Sequence, residues 1–271
     1  MKLSVLISIY YKEKASYFND AMLSIWDGQT VKPDEIILVE DGPLTDELYK
    51  VIEVWKSKLL EKLIIIRLPE NIGTGGAKRI GVEHCSGQYV AVVDTDDICL
   101  PERFEKQCYF LDTHPDIDVV GTWLSEIDSN GNIIRSIVKY PLNNDDLKVF
   151  FQKRDPVAHA TAMMRRSFLD KIGNYKAHIP MAEDTLLWYE GYKNGCKLGN
   201  IDYIGLKVRC TEDFYKRRAN WTKTITLLKY RLTKINRDLD YGVKADVYAI
   251  AYFLLSISPS FMKKIAYKIL R

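Results

Sequence analysis

Short apolar runs alternate with segments of helical periodicity through the first third of this chain, and this alternation restricts the fold more than any other feature. Four runs rich in Val, Ile and Leu predict strands, at 3–10, 34–39, 63–68 and 90–93. Three segments between them carry apolar residues at helical spacing, at 16–29, 49–60 and 77–85. This order predicts an α/β fold with a doubly wound, mostly parallel sheet.

Three carboxylates directly follow the fourth predicted strand. Residues 90–93 would be buried, and Asp94, Asp96 and Asp97 come immediately after them. Carboxylates this close repel one another unless a cation neutralises them, so we expect a hard divalent metal ion to bind here. A metal beyond the carboxyl end of a strand, with open positions, suits a phosphate-bearing substrate. The alternative is an acidic loop in which Asp96 or Asp97 caps the next helix.

A glycine-rich loop and an acidic turn add two candidate ligand contacts. Gly73, Gly75 and Gly76 would open the third helix, whose free N–H groups can hold an anion, and Lys78 adds positive charge there. The spacing matches neither a GxGxxG fingerprint nor a P-loop. Asp41 ends the second predicted strand and could hydrogen-bond a ribose or a base edge. The alternative role for Asp41 is the first residue of an Asp-Gly-Pro turn.

Seven short motifs occur in an order that resembles the family 2 glycosyltransferases of the GT-A fold. The resemblance is to the bacterial enzymes that build O-antigen, capsule or exopolysaccharide repeats, and it covers about residues 3–190. The motifs are SVLISIY, VEDG, NIG with its following helix, SGQYV, VDTDD, PERF and AEDTLLW. The resemblance implies a GT-A nucleotide-binding sheet.

The resemblance also implies roles for individual residues. The positions that match the family's contacts to a UDP-sugar donor are Tyr10, Glu13, Asp41, Asn71, Lys78, Asp94 and Thr95. Mn²⁺ or Mg²⁺ would be held on the donor diphosphate by Asp94, Asp96 and Asp97, the first two forming a DxD motif. Asp184, beside Glu183, matches the general base that deprotonates the acceptor hydroxyl. His159 and Trp188 are candidates for contact with the acceptor or the diphosphate; the alternative for each is a structural residue, which is the commoner role of such side chains.

The reaction implied is the inverting, metal-dependent transfer of galactose or glucose from a UDP-sugar to an N-acetylhexosamine on undecaprenyl diphosphate. It would form a β-linkage in a bacterial surface polysaccharide. A nucleotidyltransferase on a similar sheet is one alternative, but residues 10–13 lack the Gly-rich fingerprint that it would need. The other alternative is a binding module without turnover, against which the intact acidic motifs argue.

The charge distribution predicts two parts. Residues 214–271 hold thirteen Lys or Arg and three Asp, and we expect a basic helical extension there. Residues 1–213 carry the remaining net charge of −7 and would form the GT-A domain. Its donor half would span about 1–110, and its acceptor half about 111–213.

The extension contains an apolar run of eleven residues, 247–257, followed after Pro259 by a basic amphipathic end. A membrane span needs about twenty residues, so this run does not cross a bilayer. The basic amphipathic end suits an anionic membrane surface, and the resemblance implies that the protein lies on the cytoplasmic face of the bacterial inner membrane. The alternative is packing onto the catalytic domain or onto the second subunit of a homodimer.

The remaining composition narrows the class of protein. Five cysteines without a CxxC pair indicate a reducing cytosol. Four scattered histidines argue against a structural zinc site. Basic charge without a groove-reading motif gives little support for binding of nucleic acid.

Overall fold

The structure, a computed structural model, describes residues 2–176, 182–211 and 221–258 and shows one mixed sheet with helices on both faces. The strands in these ranges are β1 (Leu3–Ile9), β2 (Glu35–Glu40), β3 (Leu63–Arg67), β4 (Tyr89–Val93), β5 (Ile98–Cys99), β6 (Val119–Ile127), β7 (Ile133–Val138), β8 (Met163–Arg165) and β9 (Leu198–Arg209). The helices are α1 (Ala15–Ile25), α2 (Asp46–Leu59), α3 (Thr74–His84), α4 (Arg103–Thr113), α5 (Asn144–Phe151), α6 (Arg166–Ile172), α7 (Glu183–Lys193), α8 (Trp221–Tyr230), α9 (Asn236–Asp238) and α10 (Gly242–Ile257).

The first half of the sheet is parallel, as the alternating pattern predicts. Its strands lie in the order β3, β2, β1, β4, and each adjacent pair runs in the same direction. Their carboxyl ends therefore meet at one edge. The second half is mixed, because β8 runs antiparallel to both β4 and β6, whereas β9 runs parallel to β6. The strands β6 and β7 form an antiparallel hairpin.

Two hydrophobic cores cover the two faces of the parallel strands. In β2, Ile36 and Leu38 pack on the side of α1, α2 and α4, whereas Ile37 and Val39 pack on the side of α3, α6 and α7. All four side chains are fully buried. A strand covered on both faces gains from apolar side chains at every position, which explains why β2 reads as a continuous apolar run rather than an alternating one.

The C-terminal helices pack back onto the sheet domain by one face. A π-helical turn, Arg231–Ile235, joins α8 to α9; Ile235 is part of the hydrophobic core, and Arg231 is buried. Ala245 and Ala249 bring α10 against this layer. The predicted helical character of the extension is confirmed in these ranges. The predicted boundary between residues 213 and 214, and the basic end at 259–271, lie outside the described residues.

The opposite face of α10 is an apolar surface, which we call the α10 stripe. Its members recur at helical spacing and are exposed: Val243, Val247, Ile250, Leu254 and Ile257. In the ranges that the structure covers, no helix combines the length and the apolar character needed to span a membrane.

All five cysteines are buried, and none forms a disulfide. Burial raises the pKa of the Cys85 and Cys108 thiols to about 12 and that of Cys196 to about 11. Thiols of this kind stay protonated at neutral pH and react slowly, because the thiolate is the nucleophile.

Candidate active site

Asp41 lies at the carboxyl end of β2 and ties this strand to the loop after β3. Its carboxylate accepts a hydrogen bond from the backbone N–H of Ile72 at 2.8 Å and one from the Asn71 side-chain amide at 3.0 Å. Burial raises the pKa of Asp41, and backbone donors at Ile72 and Gly73 partly oppose this. The structure thus brings together Asp41 and Asn71, two of the predicted donor contacts.

Gly42 is required for this junction. Its φ is +86°, and a Cβ added there would lie 2.8 Å from the backbone nitrogen of Asn71. Only glycine combines that dihedral angle with so close an approach of two backbone segments. Asp41 is therefore more than the start of a turn: the turn fixes the strand end against a second loop.

A buried lysine holds the first carboxylate of the DxD motif. The Lys78 ammonium, on α3, donates to Asp94 Oδ1 at 3.0 Å, and its side chain is 2 % exposed, whereas that of Asp94 is 42 % exposed. A buried ammonium costs free energy unless an anion pairs with it, so this contact fixes the position of Asp94. Lys78 is thus engaged with Asp94, and its direct contact with the donor stays a prediction.

The three acidic residues after β4 differ in their surroundings. Asp97 is buried, and its carboxylate accepts the backbone N–H of Arg209 at 2.9 Å. Burial raises its pKa well above the usual value, and the charges of Asp96 and Asp94 raise it further. Asp94 and Asp96 are only partly buried. The prediction that Asp97 ligates metal does not fit this placement, because its carboxylate faces β9.

Asp94 and Asp96 fit a metal that takes further ligands from its substrate. Within the described ranges, no group of three or more His, Cys, Asp or Glu side chains could hold an ion. Mg²⁺ in phosphate-handling sites is commonly held by one or two carboxylates plus substrate phosphates. Two accessible carboxylates beside a buried third match that kind of site, since they supply hard oxygen ligands and leave the remaining positions open.

His159 and Tyr175 form a polar pair behind Asp94. Lys78 Nζ lies 3.4 Å from His159 Nδ1, and His159 Nε2 lies 2.8 Å from the Tyr175 hydroxyl. Burial, followed by the charge of Lys78, lowers the pKa of His159 to about 4, so the imidazole is neutral at pH 7. Because an ammonium can only donate, Nδ1 accepts and Nε2–H donates to Tyr175. These contacts fit the structural alternative for His159, and its contact with diphosphate or acceptor stays a prediction.

Glu183 and Asp184 are the first two residues of α7. Acidic residues in the first helical turn are stabilised by the positive end of the helix dipole. The backbone N–H of Thr185 donates to Asp184 Oδ1 at 3.1 Å, which anchors this carboxylate at the helix start. A Cβ added at Gly75 would lie 3.1 Å from Glu183 Cβ, so the glycine lets the first turns of α3 and α7 approach closely.

The predicted base and the first carboxylate of the DxD motif act electrostatically on the same two side chains. Burial raises the pKa of the Tyr175 hydroxyl, and the charges of Asp94, Glu183 and Asp184 raise it further. The charges of Asp184 and Asp94 also act on His159, where both oppose the lowering of its pKa. Carboxylates from β4 and from α7 therefore flank the same His159–Tyr175 pair.

The other predicted site residues have varied placements. Tyr10 and Glu13 form a turn after β1, in which the Glu13 N–H donates to the Tyr10 carbonyl at 3.1 Å, at the same edge as Asp41. Thr95 is buried between Asp94 and Asp96. Trp188 is fully buried, with its ring 6.1 Å from that of His159. The prediction of an acceptor contact for Trp188 does not fit this burial, and its role is in the core.

Sequence patterns did not single out Tyr175 or Arg209. Tyr175 comes after α6 without a motif, and Arg209 ends β9, more than a hundred residues after the acidic loop that it contacts. The Arg209 guanidinium donates to the Asp96 carbonyl at 3.0 Å, so it supports the loop that carries the DxD motif. The close approach of α3 to α7 at Gly75 is different, because the glycine that permits it is visible in the sequence.

Comparisons with known proteins identify the family of this chain. A glycosyltransferase of amylovoran biosynthesis from Erwinia amylovora, AmsE, is 37 % identical over 218 residues, which are 80 % of each chain. A UDP-Gal:α-D-GlcNAc-diphosphoundecaprenol β-1,3-galactosyltransferase from Escherichia coli is 30 % identical over 256 residues, which are 94 % of this chain and 88 % of that protein.

A solved structure shares the fold at low sequence identity. The crystal structure of S. aureus TarS 1-349 in complex with UDP-GlcNAc superposes with a TM-score of 0.64 at 19 % identity, over 95 % of this chain and 82 % of that one. The family model described as Glycosyl transferase family 2 matches residues 4–173, more than half of the sequence, and this span contains the Asp41 and Asp94 elements. This chain therefore belongs to glycosyl transferase family 2 and is a glycosyltransferase.

Proposed function

We propose that this enzyme transfers galactose or glucose from a UDP-sugar to an N-acetylhexosamine on undecaprenyl diphosphate, with inversion to a β-linkage, in bacterial surface polysaccharide synthesis. The observation that supports the proposal is that Asp94 and Asp184 both act electrostatically on the His159–Tyr175 pair, while Asp41 ends a strand parallel to the one before Asp94, at the same edge of the sheet. The name of the E. coli relative, a galactosyltransferase acting on a lipid diphosphate-linked GlcNAc, supports the donor and acceptor classes.

Each residue has a defined task in this reaction. Asp184 accepts the proton of the acceptor hydroxyl while the oxygen of that hydroxyl attacks the anomeric carbon of the donor sugar. The bond from that carbon to the diphosphate oxygen breaks, and UDP leaves with the bonding electron pair. Asp94 and Asp96 would hold Mn²⁺ or Mg²⁺, which stabilises negative charge on the departing diphosphate. Asp41 and Asn71 bind the nucleoside, and Lys78 keeps Asp94 in position.

A donor panel tests this function. Purified protein with Mn²⁺ and a short-chain lipid diphosphate-GlcNAc acceptor is expected to form a disaccharide with UDP-galactose or UDP-glucose, detected by mass spectrometry. The anomeric coupling constant in the NMR spectrum should report a β-linkage. Transfer with retention of the α-configuration would contradict the single displacement, and UDP binding without any product would reject the proposed acceptor.

We also propose that the enzyme works peripherally at the cytoplasmic face of the inner membrane, with the bilayer as the occupant of the α10 stripe. The stripe exposes five aliphatic side chains on one helix face. The thirteen residues after α10 and Ser258 include four Lys or Arg and no acid, a composition complementary to anionic lipid. Apolar burial and charge attraction together favour an interfacial helix.

Vesicle sedimentation tests this placement. The protein should co-sediment with phosphatidylglycerol vesicles and remain in solution with phosphatidylcholine vesicles, because anionic charge contributes to binding. The variant Val247→Asn/Ile250→Asn should lose this binding, whereas Val54→Asn, at a 66 % exposed position on α2, should retain it. If light scattering showed a dimer that Val247→Asn/Ile250→Asn splits, the stripe would be a subunit interface instead.

A further inference from the structure

Lys78, His159 and Tyr175 form a continuous series of polar contacts that ends on Asp94. The Lys78 ammonium lies 3.0 Å from Asp94 Oδ1 and 3.4 Å from His159 Nδ1. On the other side of the imidazole, Nε2 lies 2.8 Å from the Tyr175 hydroxyl. The side chains of Lys78 and Tyr175 are buried. Because a lysine stem is flexible, a contact with one accessible carboxylate does not fix the ammonium by itself, and His159 supplies the second contact.

The backbone of His159 is held against the strand that leads to Asp94. His159 begins a short turn, His159–Thr161, and the carbonyl of the next residue, Ala162, accepts the Val92 N–H at 2.9 Å. Val92 belongs to β4, two residues before Asp94. The imidazole is therefore attached to a backbone segment that is fixed relative to the carboxylate.

Tyr175 is held by Arg79, the residue next to Lys78 on α3. The Arg79 guanidinium donates to the Tyr175 carbonyl at 2.9 Å and to the Gly173 carbonyl at 3.2 Å. In return, the Asn174 side-chain amide donates to the Arg79 carbonyl at 2.9 Å. Gly173 and Asn174 both have positive φ, so the chain reverses after α6 and returns toward α3. The series of contacts that leaves α3 at Lys78 thus returns to the same helix at Arg79.

The ammonium sets the direction of each hydrogen bond in this series. Lys78 can only donate, so His159 Nδ1 accepts, and Nε2–H donates to the Tyr175 oxygen. The imidazole is neutral at pH 7, because burial and the charge of Lys78 lower its pKa to about 4. A protonated imidazole would present N–H groups on both sides and would repel the ammonium. The neutral tautomer is consequently part of what holds Lys78 in place.

We propose that His159 and Tyr175 are positioning residues, which hold the Lys78 ammonium on one oxygen of Asp94 and thereby fix the orientation in which this carboxylate meets the metal on the donor diphosphate. The inference rests on the proposed function, because it takes Asp94 as a metal ligand. A ligand that is already oriented loses less freedom on binding. Hydrogen-bond partners behind metal ligands typically contribute about 10- to 100-fold to metal affinity.

Three substitutions separate positioning from packing. His159→Leu removes both ring nitrogens, and the affinity for Mn²⁺ in the presence of UDP should fall about 10- to 100-fold. His159→Asn places an amide oxygen close to the position of Nδ1, so Lys78 can still donate, and most of the affinity should return. Tyr175→Phe removes only the hydroxyl and should lie between these two. Paramagnetic resonance of free Mn²⁺ measures the affinity without turnover.

The matched controls are His84→Leu and His84→Asn, which make the same changes at an exposed histidine near the end of α3 and should leave the affinity unchanged. Thermal unfolding shows whether each variant is folded. If His159→Leu does not fold, Tyr175→Phe carries the test, because it keeps the aromatic ring. Its affinity for Mn²⁺ should then fall severalfold at a thermal stability close to that of the wild-type protein.

The tautomer of His159 can be observed in the wild-type protein without metal. In protein with isotope-labelled histidine, nitrogen NMR at pH 7 should show His159 Nδ1 unprotonated and Nε2 protonated. The opposite tautomer would overturn the inference, because a protonated Nδ1 cannot accept from Lys78.

The remaining outcomes are equally decisive. An unchanged Mn²⁺ affinity in folded His159→Leu or in folded Tyr175→Phe would overturn the inference and leave the proposed function intact. A loss of UDP affinity in the absence of metal, equal in His159→Leu and His159→Asn, would make His159 a direct donor contact instead. If UDP binding to the wild-type protein did not respond to Mn²⁺, the metal site of the proposed function would fall, and this inference with it.

Discussion

Asp184→Asn is expected to reduce kcat by about 10²–10⁴-fold while leaving the affinity for UDP unchanged, because a general base contributes about that much to proton transfer. The amide oxygen of asparagine can still accept the Thr185 N–H, so the start of α7 should remain intact. Single-turnover rates with the lipid diphosphate acceptor measure the loss, and calorimetry with UDP and Mn²⁺ measures the donor affinity.

Glu190→Gln is the matched control for this substitution, because it removes a carboxylate from the same helix away from its first turn. Its rate should equal that of the wild-type enzyme. A rate close to wild type in Asp184→Asn would contradict the assignment, and a large loss in Glu183→Gln would then move the base to the neighbouring carboxylate. A decrease in UDP affinity in Asp184→Asn would place this residue on the donor side.

Asp94→Asn is expected to remove the dependence of donor binding on Mn²⁺ and to lower kcat/KM by on the order of 10²-fold or more, since a metal supplies several kcal/mol of charge stabilisation. Asparagine still offers an oxygen to the Lys78 ammonium but removes the anion that pairs with this buried charge, so a matched thermal unfolding curve is needed to show that the variant remains folded. Titration with a fluorescent UDP analogue, with and without Mn²⁺, measures the metal dependence of donor binding. Initial rates measure the loss in kcat/KM.

The variant Asp97→Asn tests whether Asp97 is a metal ligand or a buried residue that stabilises the acidic loop. Its side-chain oxygen can still accept the Arg209 N–H, and the amide removes a negative charge that burial and the neighbouring carboxylates disfavour at this position. The variant should keep the response to Mn²⁺ that Asp94→Asn loses. If Asp97→Asn folded normally and lost the response equally, Asp97 would be a ligand, and the acidic loop would have to turn outward on binding metal.

The common edge at which β2 and β4 end could be predicted because it follows from local patterns. Parallel strands bring their carboxyl ends to one edge, so Asp41 after β2 and Asp94 after β4 had to lie near each other. The apolar runs fixed which segments are strands, and the interspersed helical periodicity fixed the crossovers. Each of these assignments depends on residues that are close together in the sequence, within about one strand and the helix next to it. Such local patterns can be read from a single sequence.

Which of the acidic residues are accessible and which one is buried could not be predicted in the same way. Asp94, Asp96 and Asp97 are nearly equivalent in sequence, and what distinguishes them is a backbone N–H at Arg209, supplied by a strand from the far half of the chain. Trp188 and Lys78 likewise carry side chains that suit a ligand, but their burial depends on how α7 and α3 pack. Contacts between distant segments have no signature at either end.

The C-terminal extension shows the same limit. Composition predicted helices and a basic surface, but it offered membrane contact and packing onto the domain as alternatives. In the described ranges α10 does pack through Ala245 and Ala249, and it also presents the exposed stripe. One face of an amphipathic helix can therefore pack against the domain while the opposite face stays exposed. The sequence pattern alone does not distinguish packing onto the domain from contact with a membrane.

The burial of every native thiol has a practical consequence for spectroscopy. With Cys85, Cys108 and Cys196 held protonated, a maleimide dye or spin label should react selectively with a cysteine introduced at an exposed position. Val247→Cys, at a 57 % exposed site on the stripe, would then carry a single reporter without deletion of native cysteines. The wild-type background is already suited to measuring the depth of α10 in a bilayer by quenching.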